Sequence, residues 1–324
     1  MEEEYHELDE ELSNILQIIM DAEYLGKENL EAEIKYLEIY GKISAGSSPY
    51  SFHIYDRLAS IHLNKDYNPI KAAEHLEKSL KIHQQHKGED SVEVVDCYLK
   101  IGHTYSLVGI GEKAVENYKS ALDIIKVSYC SDGEFVAELY DKIASAYWTD
   151  IKDYPTALDY FTLSLETYYA LEDDEMYIEK VAWILSIMGL LYGELLNYDE
   201  SIECYKKSIE LLTRAFGVGD YNIITNYEPL ATILIETNNY EEAMEYLEKS
   251  LELKVKVCPN WSQVGMLQNK IALVNEKQFD YVDALNNYQK ALKIFETQEE
   301  KRYVEEEITE VTESIKRIKN LIRR

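Results

Sequence analysis

Apolar side chains recur at spacings of three and four residues along most of the chain, which is the period of amphipathic helices. The clearest stripe lies between Asn239 and Leu253 and consists of Tyr240, Ala243, Leu247, Ser250 and Leu251. Its alanine has five counterparts, and the six positions follow one another at intervals of 42, 43, 44, 42 and 41 residues: Ala72, Ala114, Ala157, Ser201, Ala243 and Ala284. An internal repeat of this length predicts a stack of similar units rather than one globular core.

A second small residue stands 12 or 13 residues before each of these positions, with a larger apolar residue directly in front of it. The six small residues are Ala59, Gly102, Ala144, Gly189, Ala231 and Ala272. This spacing predicts that each unit is a pair of helices, A and B, because small side chains at fixed points let helices pack at ~8–10 Å. Turn-forming residues such as Gly109, Asn197 and Asn238 fall between the two helices.

The predicted pairs account for residues 50–298, and the N-terminal part of the chain differs from them. Residues 1–49 predict two helices, roughly Tyr5–Leu25 and Glu28–Ile43. Ala32, in the second of these helices, lies 40 residues before the first alanine of the repeats. This N-terminal helical pair is therefore a candidate degenerate repeat.

Residues 299–324 lack the small-residue signature and predict a single helix with one apolar seam. The seam consists of Val304, Ile308, Val311, Ile315, Ile318 and Ile322. We expect this helix to cap the last pair, because a stack of repeats needs a terminal element that shields its core. A short coiled-coil or dimerisation helix is the alternative interpretation.

Charge and composition argue against several classes of protein. The formal net charge of -28 disfavours a basic patch for nucleic-acid phosphates and a polybasic anchor for anionic membranes. The acidic N-terminus lacks the order of a signal peptide, and the most apolar run, Val181–Tyr192, is shorter than the ~20 residues that span a bilayer. The scattered cysteines favour reduced thiols in a cytoplasmic protein over a disulfide scaffold or zinc site: Cys97, Cys130, Cys204 and Cys258.

Two recurring motifs resemble those of tetratricopeptide repeats. Ile101-Gly102-His103-Thr104-Tyr105 and Met188-Gly189-Leu190-Leu191-Tyr192 are similar to the L-G-x-x-Y core of helix A. Ala157 and Phe161 match the A-x-x-x-F of helix B. The period exceeds the usual one by about eight residues, and such long repeats resemble those of the kinesin light chain family, most closely over Ser208–Ala231.

This resemblance implies an all-α, right-handed α-α superhelix that binds segments of other proteins in a concave groove lined by helix A. The chain departs from the kinesin light chain family in two respects. It has no long N-terminal heptad region, and other residues replace the groove asparagine that holds peptide backbone in that family. The replacing residues are Arg57, Lys100, Lys142, Ile187, Pro229 and Lys270.

Groove candidates follow from the helix A positions that the repeat does not fix. They combine carboxylates, cations and aromatic anchors: His53, Asp56, Arg57, Asp96, Lys100, His103, Glu138, Asp141, Lys142, Trp148, Trp183 and Asn269. Such a groove suits an extended or helical peptide with a basic or amphipathic face. In the alternative interpretation these charges only solvate helix A and pair with one another, at ~0–1 kcal/mol per exposed pair.

The sequence offers no recognisable motif of catalytic residues. His83 and His86 stand three residues apart, but a metal site needs further ligands. The segment Gly217-Val218-Gly219 lacks the context of a phosphate-binding loop. We therefore expect no catalytic residue, metal or cofactor, and a scaffold or adaptor that binds proteins or peptides and neither nucleic acid nor membrane. The alternatives are an acidic, chaperone-like binder of basic proteins and a peptide-sensing regulator that uses the cations Arg57, Lys100 and Lys142.

Overall fold

The structure is a computed structural model that describes residues 14, 17, 30–44, 51–128, 133–171, 176–218, 221–257, 261–298 and 301–323. These residues form 14 α-helices, one π-helical turn and one 3-10 turn, and no strand occurs among them. The chain divides into two compact units, an N-unit (Met1–Leu171) and a C-unit (Glu172–Arg324). Apart from Asn14 and Gln17, the predicted first helix lies outside the described residues.

The N-unit contains α1 and three helix pairs. Its helices are α1 (Leu30–Ser44), α2 (Phe52–Asn64), α3 (Pro69–Lys87), α4 (Val92–Ser106), α5 (Gly111–Ser128), α6 (Gly133–Ala146) and α7 (Tyr154–Tyr169). Helix α6 runs directly into the π-helical turn Tyr147–Ile151. Each even-numbered helix packs along the helix that follows it, and this gives pairs 1 to 3.

The C-unit contains three further pairs and the last helix. Its helices are α8 (Ile178–Glu194), α9 (Tyr198–Phe216), α10 (Tyr221–Glu236), α11 (Tyr240–Val257), α12 (Ser262–Lys277), α13 (Tyr281–Glu296) and α14 (Glu305–Ile322). Pairs 4 to 6 are α8 with α9, α10 with α11, and α12 with α13. None of the described helices has a stretch both long and apolar enough to pass through a membrane.

The small residue of helix A makes room for an aromatic ring of helix B. A β-carbon on Gly102 would lie 2.7 Å from Cε1 of Tyr118, and one on Gly189 would lie 3.0 Å from the ring of Tyr205. Each ring stands four residues after the recurring small residue of helix B, here Ala114 or Ser201. We call this small residue the marker of helix B. In pair 4 that marker, Ser201, also donates a hydrogen bond of 2.6 Å to the carbonyl of Gly189. The two sequence markers are thus the two sides of one close helix contact.

The turn from helix A to helix B has a left-handed residue at the same place in every pair. A residue with left-handed backbone stands five positions before the marker of helix B: Tyr67, Gly109, Lys152, Leu196, Asn238 and Phe279. The N–H of the next residue then bonds to a carbonyl at the end of helix A, which is a Schellman-type end to that helix. Only two of the six residues are glycine or asparagine. The presence of turn-forming residues therefore does not predict this conformation at the other four positions.

This closing bond also explains why the marker spacing is sometimes 12 and sometimes 13 residues. In the four pairs with a spacing of 12 it reaches back five residues, for example from Ile110 N–H to the Tyr105 carbonyl at 3.0 Å. In pairs 1 and 3, with a spacing of 13, it reaches back six, for example from Asp153 N–H to the Tyr147 carbonyl at 3.0 Å. In pair 3 the extra residue is taken up by the π-helical turn.

The last helix covers the core of pair 6, as expected of a capping helix. Val311, Ile315 and Ile318 are buried in one cluster with Tyr288 and Phe295 of α13. An ion pair reinforces the contact, because Arg317 donates two hydrogen bonds of 2.9 Å to the Glu276 carboxylate. The apolar seam is therefore used largely within the chain, which leaves little of it for a dimer.

Two of the four cysteines lie among the described residues. Cys97 and Cys204 are free and buried, and burial raises the pKa of Cys97 to about 12 and that of Cys204 to about 11. Cys130 and Cys258 lie outside the described residues.

Candidate functional site: clefts between A helices

Each unit has a cleft lined by the A helices of two consecutive pairs, and in the N-unit the end of the B helix α3 lines it as well. The N-unit cleft, of about 710 Å³, lies between pairs 1 and 2. The C-unit cleft, of about 450 Å³, lies between α8 and α10 of pairs 4 and 5. Both volumes fall in the range of small-ligand and side-chain pockets.

One wall of the C-unit cleft is a stripe along α8. Trp183, Ile187 and Leu190 line the cleft at spacings of four and three residues, so they share one face of the helix. Trp183 keeps 46% of its surface exposed. Large aromatic side chains usually bury much more, and an exposed tryptophan beside a cleft is a typical anchor for a partner.

The opposite wall belongs to α10 and is more polar. Asn222, Thr225 and Asn226 line it together with Pro229. Proline has no N–H, so Pro229 cannot donate to the carbonyl of Thr225, which therefore lacks the backbone donor that a helix normally supplies. The cleft thus combines an apolar wall with hydrogen-bonding groups that can orient a bound segment.

Hydrogen bonds between helices make the floor of this cleft rigid. The Ser208 hydroxyl of α9 donates to the carbonyl of Ala182 at 2.8 Å and lies 2.9 Å from the Ser186 hydroxyl. The buried Asn226 amide donates to Ser208 Oγ at 3.3 Å and to the Asn222 carbonyl at 3.1 Å. A floor already fixed in this way lowers the entropy cost of ordering the protein when a ligand binds.

The N-unit cleft has a different chemistry. It is lined by the carboxylates of Asp56, Glu93 and Asp96, the imidazoles of His53, His83 and His86, and the ammonium group of Lys87. Burial lowers the pKa of His83, although the charges of Asp56 and Glu93 oppose this effect. The His83 ring is therefore largely neutral near physiological pH. Lys87 lies 3.4 Å from Glu93 and Lys100 lies 2.6 Å from Asp96, so two of the three carboxylates already have a cation beside them.

Four of the predicted groove residues line a cleft. His53, Asp56 and Asp96 line the N-unit cleft, and Trp183 lines the C-unit cleft. The other eight predicted residues line neither: Arg57, Lys100, His103, Glu138, Asp141, Lys142, Trp148 and Asn269.

Two of the three predicted groove cations are held in ion pairs. Arg57 Nη2 lies 2.8 Å from Glu33 of α1, and Lys100 Nζ lies 2.6 Å from Asp96. Lys142 is exposed on α6. These pairs offset two of the charges that motivated a site for acidic peptides, and so they weaken the case for the regulator hypothesis.

Sequence reasoning missed Asn226, whose amide forms part of the floor of the C-unit cleft. It stands five residues before the small residue Ala231, and none of the twelve predicted groove residues occupies that position in its own pair. Asn222 and Asn226 are four residues apart and thus share a helix face. These two asparagines on one face of an A helix were the sequence signal that could have identified Asn226.

Comparison with known proteins agrees with this architecture. Residues 180–254 match the model of the tetratricopeptide repeat family, and no curated protein sequence matches the chain. The crystal structure of BtubC (BKLC) from P. vanneervenii has a TM-score of 0.56 and 16% identity, covering 71% of this chain and 91% of that chain. A putative kinesin light chain with nearly identical repeats, from Podosopora anserina, has a TM-score of 0.53 and 14% identity, covering 65% of this chain and 99% of that chain.

At these identities the solved structures show a shared fold. Repeats of this class stack helix pairs into solenoids whose extended surfaces bind protein partners, and the family is generally non-catalytic. Residues 180–254 are thus similar to tetratricopeptide repeats, and the helix pairs of both units share the fold of solved structures that include a putative kinesin light chain with repeats of this type.

Proposed function

We propose that this protein binds a peptide segment of a partner in the C-unit cleft, with an apolar side chain of that segment seated against Trp183. The observation that carries the proposal is the exposed Trp183 at an apolar cleft between two consecutive A helices. The fold supports an interaction scaffold, and this cleft is the place where that scaffold offers both an anchor and hydrogen-bonding groups.

The surface of Trp183 sets the size of the expected effect. A tryptophan can bury up to about 250 Å², and with 46% of the residue exposed, on the order of 100 Å² remains for a partner to cover. At ~25 cal/mol per Å², covering it contributes about 2–3 kcal/mol. That is the magnitude of an interface hot spot.

The lining of the cleft indicates the chemistry of the segment. Its apolar wall requires an aliphatic or aromatic side chain, and Glu179 is the charged residue of the lining. A lysine or arginine close to the apolar side chain in the segment would pair with Glu179. The net charge of -28 would also attract a basic segment during encounter. We therefore propose an amphipathic, basic segment.

This mode differs from peptide binding through a ladder of groove asparagines. The positions that carry that asparagine in the kinesin light chain family hold Ile187 and Pro229 here, and both line the C-unit cleft. Neither can hydrogen-bond a peptide backbone through its side chain. Apolar contact to Trp183 therefore takes the larger share of the proposed binding energy.

A peptide-display selection on the full chain tests the proposal. Enriched peptides are synthesised, and their affinities are measured for the wild type, Trp183→Ala and Trp261→Ala. Trp261 is the matched control, since it is 44% exposed in the same unit and lines neither cleft. We expect Trp183→Ala to weaken binding about 30- to 150-fold, the equivalent of 2–3 kcal/mol, and Trp261→Ala to leave it unchanged.

Salt dependence separates this function from diffuse acidic attraction. If the selected peptides bind Trp183→Ala as well as the wild type, and binding collapses between low and high salt, the cleft is not the site and the acidic-chaperone hypothesis replaces ours. Retention of most of the affinity at high salt, together with loss in Trp183→Ala, supports the cleft.

A further inference from the structure

Three side chains with metal-ligand chemistry converge at one point of the N-unit, away from both clefts. Glu38 of α1, His62 of α2 and His75 of α3 each place one ligand atom within 4.8 Å of the other two. His62 is fully buried, His75 is 5% exposed and Glu38 is half-buried. The cluster therefore lies inside the packing of α1 against pair 1.

The two imidazoles have unsatisfied nitrogens that are buried. Nε2 of His62 and Nδ1 of His75 have no solvent contact and no hydrogen-bond partner among the described residues. The rings are parallel within 1°, with centroids 5.3 Å apart. Unpaired polar atoms in a protein interior are costly, so two such atoms on neighbouring rings need an explanation, and an ion site is one explanation.

A carboxylate orients the first histidine as it does in metal sites. Nδ1 of His62 lies 2.7 Å from Oδ2 of Asp66, four residues further along the chain. A metal-binding histidine usually donates its other ring N–H to a carboxylate or carbonyl, which fixes the tautomer. With Nδ1 as the donor, the Nε2 lone pair of His62 is left available for an ion.

The second histidine presents a neutral ring, although the nearby lysine charges act against a cation there. Burial, with the charges of Lys78, His62 and Lys71 acting in the same direction, lowers the pKa of His75 to about 4. Its ring is therefore neutral near physiological pH, which is the form that coordinates metals.

We propose that Glu38, His62 and His75 form a binding site for a divalent transition-metal ion, with Zn²⁺ the best match. Two imidazoles and one carboxylate are an established zinc ligand set, which leaves a fourth position for water. Imidazole ligands favour zinc and its neighbours over Mg²⁺ or Ca²⁺, which prefer oxygen. Ligand atoms of a tetrahedral zinc site lie about 3.3 Å apart, as follows from bonds of ~2.0–2.1 Å, so modest side-chain movement closes the site.

The ion would join the N-terminal helix to the first helix pair. Other contacts of α1 with this pair are the ion pair of Glu33 with Arg57 and the packing of Ile34 and Leu37 around Leu58. A metal held by α1, α2 and α3 at once would add a link through all three helices. Binding only to the folded form, it would stabilise the N-unit by mass action.

Direct metal binding tests the site. The full chain, freed of any histidine tag and treated with EDTA, is titrated with ZnCl₂ against a coloured chelator, and its metal content is measured after gel filtration. We expect one Zn²⁺ per chain, and a Co²⁺-loaded sample with the visible absorption of a tetrahedral ion. Glu38→Gln and His75→Asn should each weaken Zn²⁺ binding at least tenfold, since each removes one of three ligands.

A control variant removes three histidines that lie outside the proposed metal site. His53→Gln, His86→Gln and His103→Gln are combined in one protein, which should bind Zn²⁺ like the wild type and show the same rise in melting temperature with Zn²⁺. That rise should be lost in Glu38→Gln. This variant decides the matter if His75→Asn fails to fold, because Glu38 is half-buried and glutamine keeps its shape.

Two results would overturn the proposal. One is a wild-type chain that retains and binds no stoichiometric Zn²⁺. The other is binding that survives in Glu38→Gln but disappears in the triple histidine control, which would place the ion on surface histidines.

Discussion

Replacing Ile318 with alanine should detach the last helix while the rest of the chain stays folded. Ile318 is fully buried in the cluster that α14 forms with α13. Removing its three outer carbons loses about 2.4 kcal/mol of burial, at ~0.8 kcal/mol per group, and the remaining cavity adds to this. A total of about 3 kcal/mol lies within the usual ~2–5 kcal/mol for isoleucine-to-alanine changes in a core.

The loss should be local, because the helices of a repeat array depend mainly on their neighbours. Hydrogen exchange followed by mass spectrometry measures this: amide protection in α14 should fall about 100-fold, the equivalent of 3 kcal/mol, and peptides of the N-unit should not change. Ile322→Ala is the control, since Ile322 belongs to the same seam but is 45% exposed.

Two outcomes would refute the reasoning. If Ile318→Ala leaves the exchange of α14 unchanged, the seam does not pack on α13 as described. If Ile322→Ala loosens α14 to the same extent and also dissociates an oligomer in light scattering, the seam serves a dimer rather than a cap.

Two further predictions concern the cap and the helix contact. Burial opposes ionisation of Glu276, but the hydrogen bonds from Arg317 and Tyr288 prevail and hold the pKa of Glu276 below its ordinary value of 4.5. The ion pair therefore stabilises the fold above about pH 4.5, and this contribution is lost as the pH falls through the folded-state pKa. Melting curves should show that Arg317→Met is about 1 kcal/mol less stable than the wild type at pH 7, a value kept small because Arg317 is half-exposed. This difference in stability should vanish in acid, and a difference that stays constant with pH would contradict the assignment. Gly102→Ala should lower the free energy of unfolding, measured with urea, by about 1 kcal/mol. Overpacking against Tyr118 costs ~1–3 kcal/mol, and the better helix propensity of alanine offsets ~1 kcal/mol of that cost. In the control Gly193→Ala, the new methyl meets mainly the mobile end of a side chain, so equal destabilisation of the two variants would argue against the ring contact.

The repeat architecture was accessible from sequence because its contacts are local. Each helix A meets the helix B that follows it, so the small residue at Gly102 and the ring at Tyr118 are only 16 residues apart. A fixed spacing between small and aromatic positions then reports directly on a physical contact. The capping helix was predictable for the same reason, since its apolar seam packs on the helix before it.

The shape of the turns was not accessible in this way. Leu196 and Phe279 adopt left-handed backbone although neither residue is glycine or asparagine. The closing hydrogen bond and the start of helix B impose this conformation on whatever residue stands there. The packing of the pair thus overrides the preference of the single residue.

Sites depend on side chains that the fold brings together from distant positions. Glu33 and Asp96 form ion pairs with Arg57 and Lys100, respectively. The sequence alone did not show that these two cations would be paired. The floor of the C-unit cleft likewise needs Asn226 to meet Ser208 of a different helix.

By itself, the sequence determined the fold class, the helix pairs and the capping helix, because periodicity and spacing encode contacts between neighbouring helices. Only the tertiary structure decided which A-helix residues face a cleft, which charges are neutralised, and that Glu38 lies beside His62 and His75. Those three residues are separated by 24 and 13 positions and form no motif. Their proximity arises from the docking of α1 on the first pair, and no local pattern records a contact of that kind.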